Sequence, residues 1–286
     1  MMMDSSVSRP ARGLRRPVLP NWPILSVMGA IVFLFWAFIA IFGDWLTPHD
    51  PGEFIDSWNV LGPPTAQTWL GTDYLGRDVL SRIMTGAKYT VGLPFLTAGL
   101  ALFFGLILGV GVTLVRGPLD TALSWLMDTV NSLPSTIFAL VAVAGFGTSI
   151  PVLVIVITAL YIPSAYRNVR AAAMNVSRLE FIDAAHVRGE GPLYIIFREI
   201  LPNILPNLVT HFGIMFIYIA LLLSGLSFLG LGVQPPEADW GALIAENMMG
   251  LSYGALAIFA PALALLSLTM SMTLMVDAIS AQKKER

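Results

Sequence analysis

The chain has 286 residues, of which 56% are hydrophobic and only 12% are charged, with a formal net charge of −2. Soluble domains carry about 25% charged residues, so this composition is typical of a membrane protein. The chain contains no cysteine, which excludes disulfides, Cys-ligated zinc and thiol catalysis. We expect a lipid bilayer around the chain, and no nucleic acid as a partner.

Long uncharged stretches predict the transmembrane helices, because one span needs about 20 mostly apolar residues. The stretch 129–166 is too long for one span and contains the break Gly145–Pro151, so it predicts two spans joined by a tight turn. Each of the other stretches predicts one span, and they lie within 24–42, 89–115, 203–236 and 247–276. The predicted fold class is an all-α polytopic membrane protein with six transmembrane helices.

Basic residues are concentrated in the segments that six spans would place on one side of the membrane. They are Arg9, Arg12, Arg15, Arg16, Arg116, Arg167, Arg170, Arg178, Arg188, Arg198, Lys283, Lys284 and Arg286. The opposite side would hold only Arg77, Arg82 and Lys88, among several acidic residues. The positive-inside rule therefore predicts that both termini are cytoplasmic.

These spans and charges divide the chain into five parts. Residues 1–23 form a cytoplasmic tail, 24–43 the first transmembrane helix, and 44–88 an external segment with an interfacial helix. Residues 89–278 form the transmembrane core, with a cytoplasmic loop at 167–202 and an external loop at 231–254, and 279–286 form a second cytoplasmic tail. The basic N-terminus resembles that of a signal peptide, but its apolar stretch is too long and no small-residue cleavage site follows, so we expect an uncleaved span.

The external segment predicts a short amphipathic helix that lies on the membrane surface before the second span. Thr72 or Asp73 is a suitable cap, and Asp78 and Arg82 are spaced to pair at i, i+4. Past Gly76, an apolar face is formed by Val79, Leu80, Ile83 and Met84. A simple interfacial anchor remains an alternative for this helix.

A charged island at residues 179–202, here called the elbow, lies between long apolar stretches, and it must therefore lie at a membrane surface. Helical spacing before Gly189 and an interruption at Gly191-Pro192 predict a helix, a break and a second helix. The second helix has an apolar stripe suited to the bilayer surface, ended by Pro202; the stripe consists of Leu193, Ile196, Phe197, Ile200 and Leu201. A plain polar connector between two spans remains an alternative.

The segment 226–241 ends the fifth span with several glycines and the pair Pro235-Pro236. Asp239 is placed to cap a short helix that runs to Met249. The alternative is a simple helix end followed by a loop.

Other polar residues give weaker signals. Asp120 and Asp128, near the start of the third span, favour a structural or interfacial role, and Pro134 predicts a kink there. The histidines His49, His186 and His211 have no metal-ligand spacing, and the sequence has no phosphate-binding glycine loop.

Three separated motifs resemble importer-type ABC transporter permeases. The elbow resembles their coupling loop, with Asp183-Ala184-Ala185, three residues including His186 and Arg188, then Gly189, a spacer and Ile200-Leu201-Pro202; Asp183 stands where Glu is commonest. Two external strings resemble the branch that serves dipeptides, oligopeptides and nickel. Their key residues are Gly71, Asp73, Gly76, Arg77, Asp78, Gly230, Gly232, Pro235, Pro236, Trp240 and Gly241.

The resemblance implies a MetI-like fold and a non-catalytic permease in the bacterial inner membrane. It implies four kinds of contact: a second homologous permease chain in a heterodimer, two ATP-binding subunits, a periplasmic solute-binding protein and the bilayer. ATP and Mg would bind the partner ATPases, so this chain would hold no cofactor. The expected solute is a di- or oligopeptide, with nickel chelates, opines, glutathione and oligosaccharides as alternatives. The other classes considered are a polytopic membrane enzyme and a secondary carrier, but clustered catalytic residues and deep intramembrane charges are missing from the sequence.

Overall fold

The computed structural model describes residues 22–56, 58–115 and 117–285, and apart from one isolated β-bridge its regular structure there is helical. The predicted tail at 1–23 lies outside the described residues as far as residue 21, as does Arg286 at the other end. The helices are α1 (Trp22–Leu46), α2 (Val79–Val115), α3 (Pro118–Asn131), α4 (Ser135–Phe146), α5 (Ile150–Val176), α6 (Glu180–Val187), α7 (Pro192–Tyr194), α8 (Leu201–Phe228), α9 (Trp240–Glu246) and α10 (Leu256–Glu285). A π-helical turn (Ile195–Ile200) joins α7 to α8, and a 3₁₀ helix (Met248–Tyr253) follows α9.

Among the described residues, five helical segments are long and apolar enough to cross a membrane, and a sixth span requires α3 and α4 to count as one. The predicted turn near Gly145–Pro151 is confirmed, since α4 ends at Phe146 and α5 begins at Ile150. The third span is broken rather than kinked: α3 and α4 meet at 85° around Pro134. Proline at the start of α4 lacks an N–H and disfavours helical geometry in the residue before it, which explains the break.

The predicted surface helix before the second span is wrong as a separate element. Residues 79–88 form the first turns of α2, which continues through Pro94 to Val115. Periodicity cannot distinguish a short surface helix from the polar first turns of a long span, and nothing in the sequence between Val79 and Tyr89 breaks the helix.

The second helix of the elbow is likewise not a separate surface helix, and Pro202 does not end it. Helical structure runs from Pro192 to Phe228 as one candidate span. In the π-helical turn the N–H of Leu201 bonds to the carbonyl of Ile196, five residues back. This wider turn makes room for the Pro202 ring, which would otherwise clash with the preceding turn.

The bundle is organised around α2, which packs against α1, α5 and α8. Gly105 and Gly109 let α2 approach α5 closely, because a Cβ at either glycine would lie within 3 Å of Ala165 or Val169. The elbow lies at one end of the bundle. The opposite end carries residues 47–78 and 229–255, here called the cap.

Candidate functional sites: the cap and the elbow

The cap motif 71–78 folds as a tight turn around Asp73. One carboxylate oxygen of Asp73 accepts hydrogen bonds from the backbone N–H groups of Leu75 and Arg77, both at 2.9 Å. Gly71 has φ of 78° and Gly76 has φ of 76°, in the left-handed region that favours glycine. A Cβ on Gly71 would also lie 2.2 Å from the carbonyl oxygen of Gly62, so the motif requires glycine there.

Asp73 is also the centre of a buried charge cluster of four residues. Its second oxygen accepts from Arg77 Nε at 2.7 Å and from Arg82 Nη1 at 2.9 Å. Both arginines also bond to Glu246 of α9. Asp73 and Arg82 are only 1% and 4% exposed, so each charge depends on the others for its stabilisation.

Two predicted contacts in this motif are wrong. Arg82 does not pair with Asp78 but with Asp73 and Glu246. Asp78, rather than Thr72 or Asp73, caps the helix, since its Oδ2 accepts from the backbone N–H and the hydroxyl of Ser81. The first turn of α2 is buried. Asp78 can therefore bond to Ser81 within that turn, whereas an exposed i, i+4 pair between Asp78 and Arg82 does not form.

The second cap motif joins the end of α8 to α9 through buried polar contacts. Gly230 adopts φ of 79° where α8 ends, and the chain then turns past Gly232, where a Cβ would overlap Ser227. Ser227 donates to Asp239 Oδ2 at 2.6 Å, and Asp239 Oδ1 accepts from the N–H of Ala242. The prediction that Asp239 is the N-cap residue of a short helix is therefore confirmed, although this helix, α9, ends at Glu246 and not at Met249.

Burial raises the pKa of the Asp239 carboxyl to about 6, against the opposing effect of its hydrogen bonds from Ser227 and the backbone. The neighbouring peptide bond between Pro235 and Pro236 is cis. Gly241 lies against α8, where a Cβ would lie 2.3 Å from the carbonyl oxygen of Ser224.

Trp240 connects the two cap motifs. It is fully buried, its indole N–H donates to the carbonyl of Ile83 at 2.9 Å, and its backbone N–H donates to Thr90. Its ring also packs edge-on against Trp36 of α1 at 4.6 Å. The cap motifs, distant in sequence, thus form one packed unit with α1 and α2.

Sequence reasoning missed two residues of this unit, Glu246 and Asn247. Asn247 Oδ1 accepts from the N–H of Tyr74, and Glu246 closes the charge cluster. The local sequence offered no signal for Glu246, because Arg77 and Arg82 stand beside two carboxylates, Asp73 and Asp78, and the local charges balance.

The elbow differs in that its motif residues are mostly exposed. Only Ile182 and Ala185 of α6 are buried, where they pack with Val169 and Ala173 of α5. Asp183, Ala184, His186 and Arg188 lie on the outer side of α6. Val187 is 89% exposed, more than Leu193 at 68% or Phe197 at 63% in the same elbow.

Gly189 ends α6 in the left-handed region, with φ of 80° and open space around the position of a Cβ. Arg188 forms only loose ion pairs, 3.7 Å from Glu190 and 3.7 Å from Glu199. His186 Nδ1 lies 2.9 Å from the carbonyl oxygen of Ile182. These contacts stabilise α6 locally and leave its outer face without a partner in the described chain.

The later part of the coupling-like motif lies behind α6. Ile200 is buried in the same core as Ile182 and Ala185, with Leu201 packed against it, and Pro202 is exposed. The described residues contain no group of three or more His, Asp or Glu side chains that could hold a metal.

The family model described as binding-protein-dependent transport system inner membrane component matches residues 101–285. The nickel transport system permease protein NikC of Escherichia coli (strain K12) is 31% identical, over 88% of this chain and 91% of NikC. The di/tripeptide transport system permease protein DppC of Pseudomonas aeruginosa (strain UCBPP-PA14) is 30% identical, over 97% of this chain and 95% of DppC.

A solved structure of the inward-facing MetNI methionine ABC transporter superposes with a TM-score of 0.57 at 19% identity. The match covers 71% of this chain and 95% of the MetNI chain, and it shows a shared fold. The fold is therefore the MetI-like permease fold. The chain belongs to the family of binding-protein-dependent transport system inner membrane components, as an ABC importer permease.

Proposed function

We propose that this permease imports di- or oligopeptides across the bacterial inner membrane, with both termini in the cytoplasm. Solute would arrive from a periplasmic binding protein at the cap, and ATPase subunits would act at the elbow. A second, different permease chain would complete the pathway, and two ATP-binding subunits would bind ATP and Mg. The relatives named for di- and tripeptides and for nickel support this branch. A glutathione transport permease of Pectobacterium atrosepticum, 27% identical over 98% of this chain, keeps glutathione open as an alternative.

The observation that carries the proposal is the division of the elbow into an anchored face and a free face. Ile182 and Ala185 fix α6 to the bundle, so that a force on α6 passes to α5 and α8. The outer face offers Asp183 and Val187 to a partner. Coupling requires that the contact between α6 and the ATPase differ in free energy between two states of the transporter. An exposed face on a rigidly anchored helix offers a surface for such a contact.

The experiment compares two neighbouring glycines in the reconstituted transporter. A side chain at either Gly189 or Gly191 would meet open space, but only Gly189 has positive φ. Gly189→Val should add about 1–2 kcal/mol of local backbone strain and change the direction in which the chain leaves α6. Gly191→Val is the matched control, because its φ of −74° is ordinary for valine.

We expect Gly189→Val, and separately Asp183→Lys, to hydrolyse ATP with much less uptake per ATP than the parent. Gly191→Val should keep the parental ratio, and all variants should insert and retain their partner subunits. Normal uptake per ATP in both Gly189→Val and Asp183→Lys would refute the coupling assignment.

A further inference from the structure

The break between α3 and α4 exposes irregular backbone inside the predicted hydrocarbon region. A helix of 12 residues such as α4 is about 18 Å long, whereas the hydrocarbon core is about 30 Å thick. The far end of α4 joins α5 through a turn of only three residues at 147–149. Because this turn is at the cap end, the break lies well below that surface of the membrane.

The backbone at the break is only partly hydrogen-bonded. The N–H groups of Ser132 and Leu133 bond to carbonyls in the last turn of α3, whereas those at the start of α4 lack such acceptors. α4 begins after Pro134 without a side-chain cap, so its first N–H groups have no capping acceptor. All residues from Asn131 to Pro134 are exposed in the isolated chain. Lipid cannot satisfy such groups, and irregular backbone at this depth occurs where it is buried in protein or lines a water-filled cavity.

A charged pair lies at the same place. Asp128 Oδ1 is 3.9 Å from Arg167 Nη1, and the two side chains are 60% and 53% exposed. Asn131, with its amide oxygen turned toward Arg167, accepts from Nη1 at 3.3 Å. Both residues flank the uncharged stretch 129–166, so the pair lies where the third and fourth predicted spans reach the elbow side of the membrane, and its exposed charges require water or protein there rather than lipid.

The neighbouring ion pair provides a contrast within the same two helices. Arg170 binds Asp120 through two short bonds, Nε–Oδ1 at 2.8 Å and Nη2–Oδ2 at 2.7 Å. That pair is closed and joins α3 to α5. The pair of Asp128 and Arg167 is loose, so both charges retain hydrogen-bonding capacity for another group.

We propose that the break at residues 131–134, with Asp128 and Arg167, lines the water-filled solute pathway of the assembled transporter. The inference rests on the proposed function, and it adds where the solute passes and which chemistry it meets. The lining offers one anionic and one cationic group together with amide and backbone groups. This combination suits a zwitterionic, hydrogen-bonding solute better than one of high net charge. Broken helices at membrane depth serve solute pathways in other transporters.

The experiment uses the absence of native cysteine in this chain. Ser132→Cys is placed at the break, and Asp128→Cys is a second position on the same surface. Val141→Cys is the matched control, because Val141 is 69% exposed on α4 without a polar neighbour in the proposed lining. Each variant is assembled with its partner subunits in proteoliposomes and treated with a membrane-impermeant methanethiosulfonate reagent, and labelling of this chain is followed by mass.

We expect the break positions to react roughly tenfold faster than Val141→Cys, because the thiolate forms in water and not in lipid. Trapping the complex with ATP and vanadate should change the rate at the break and not at Val141. Equal, slow labelling at all three positions in a complex that takes up solute would overturn the pathway assignment alone. Absence of ATP-dependent uptake in the complex that contains the parent chain would instead count against the proposed function.

Reagent charge tests the chemistry of the lining. In the Ser132→Cys background, Arg167→Gln should raise the ratio of cationic to anionic reagent rates several-fold, and Asp128→Asn should lower it several-fold. Asp44→Asn is the control, because Asp44 belongs to a comparably exposed ion pair with Lys88 that lies on the cap side. Ratios that stay at the Ser132→Cys value in both variants would overturn the assignment of Asp128 and Arg167 to the pathway.

Discussion

The cap and the elbow each contain residues that match family motifs, but they use them in opposite ways. In the cap, Asp73 and Arg82 are almost fully buried and bind each other and Glu246. In the elbow, Asp183 and Val187 face outward and bind nothing within the described chain. A motif whose polar groups are satisfied internally specifies a structure, whereas one whose groups stay open is available to a partner.

This difference changes the interpretation of the two cap motifs. Their charged residues are occupied in joining the segment 47–78 to α9 and, through Trp240, to α1 and α2. We therefore expect substitutions in the cap to act first on stability. Substitutions on the outer face of the elbow should act on coupling with stability unchanged.

The largest expected effect is that of Arg82→Leu, which removes the more deeply buried of the two cations that Asp73 and Glu246 share and leaves them only Arg77. Removing one partner of a buried ion pair costs about 3–5 kcal/mol. The purified protein should therefore lose its folded, monodisperse form at a clearly lower temperature. Lys88→Leu is the matched control: its pair with Asp44 is 3.2 Å long but half-exposed, and such pairs contribute about 0–1 kcal/mol. Similar losses in both variants would contradict the structural role of the cluster.

Gly241→Ala should destabilise the cap by about 1–3 kcal/mol, because the new methyl group would overlap the carbonyl of Ser224. Gly225→Ala, on α8 one residue further along, would meet open space and should be neutral or slightly stabilising. Thermal unfolding in detergent compares the two variants. An unchanged melting temperature for Gly241→Ala would show that α8 and α9 are not in close contact.

Asp239→Asn should remove part of the pH dependence of stability. The folded pKa is about 6, above the ordinary value of 3.8, so the folded state holds a proton that the unfolded state releases between these values. The contribution of Asp239 is thus most favourable below about pH 4 and is lost as the pH rises to about 6. Asparagine caps helices as well as aspartate does, so the variant should gain stability relative to the parent over that range. Parallel melting-temperature curves from pH 4 to 7 would contradict the raised pKa.

The smallest effect on stability is expected for Val187→Ser on the elbow. An exposed side chain without intramolecular contacts changes the free energy of unfolding by no more than about 0.5 kcal/mol. Uptake per ATP hydrolysed should nevertheless fall, because the apolar contact that we propose between Val187 and the ATPase would be weakened. A large drop in melting temperature would place Val187 in the fold rather than at an interface.

The sequence predicted those features that depend on local geometry. The conformational preferences of glycine, proline and aspartate account for three such features. These are the turn between α4 and α5, the interruption at Gly189 and the N-cap of α9 at Asp239. Where a helix continued past a polar or proline residue, sequence reasoning failed. It ended elements before Tyr89 and at Pro202, although the structure continues both helices.

The partners of charged residues could not be predicted from local spacing. Asp78 is four residues from Arg82 and was the expected partner, but Glu246 lies 164 residues away and binds it. Contacts between residues so far apart in sequence depend on the packing of α2 against α9. No periodic pattern in the sequence indicates that packing.

The sequence by itself determined that this chain is a helical membrane protein with a polar elbow, because hydropathy and helix-breaking residues act locally. Only the tertiary structure decided which polar residues are buried with partners inside the chain and which stay exposed. Burial and partner choice depend on all the helices that pack around a site. The carboxylate of Asp73 is buried and hydrogen-bonded within the chain, so its role is structural. The carboxylates of Asp183 and Asp128 are exposed, so they are available to a partner protein or to a solute.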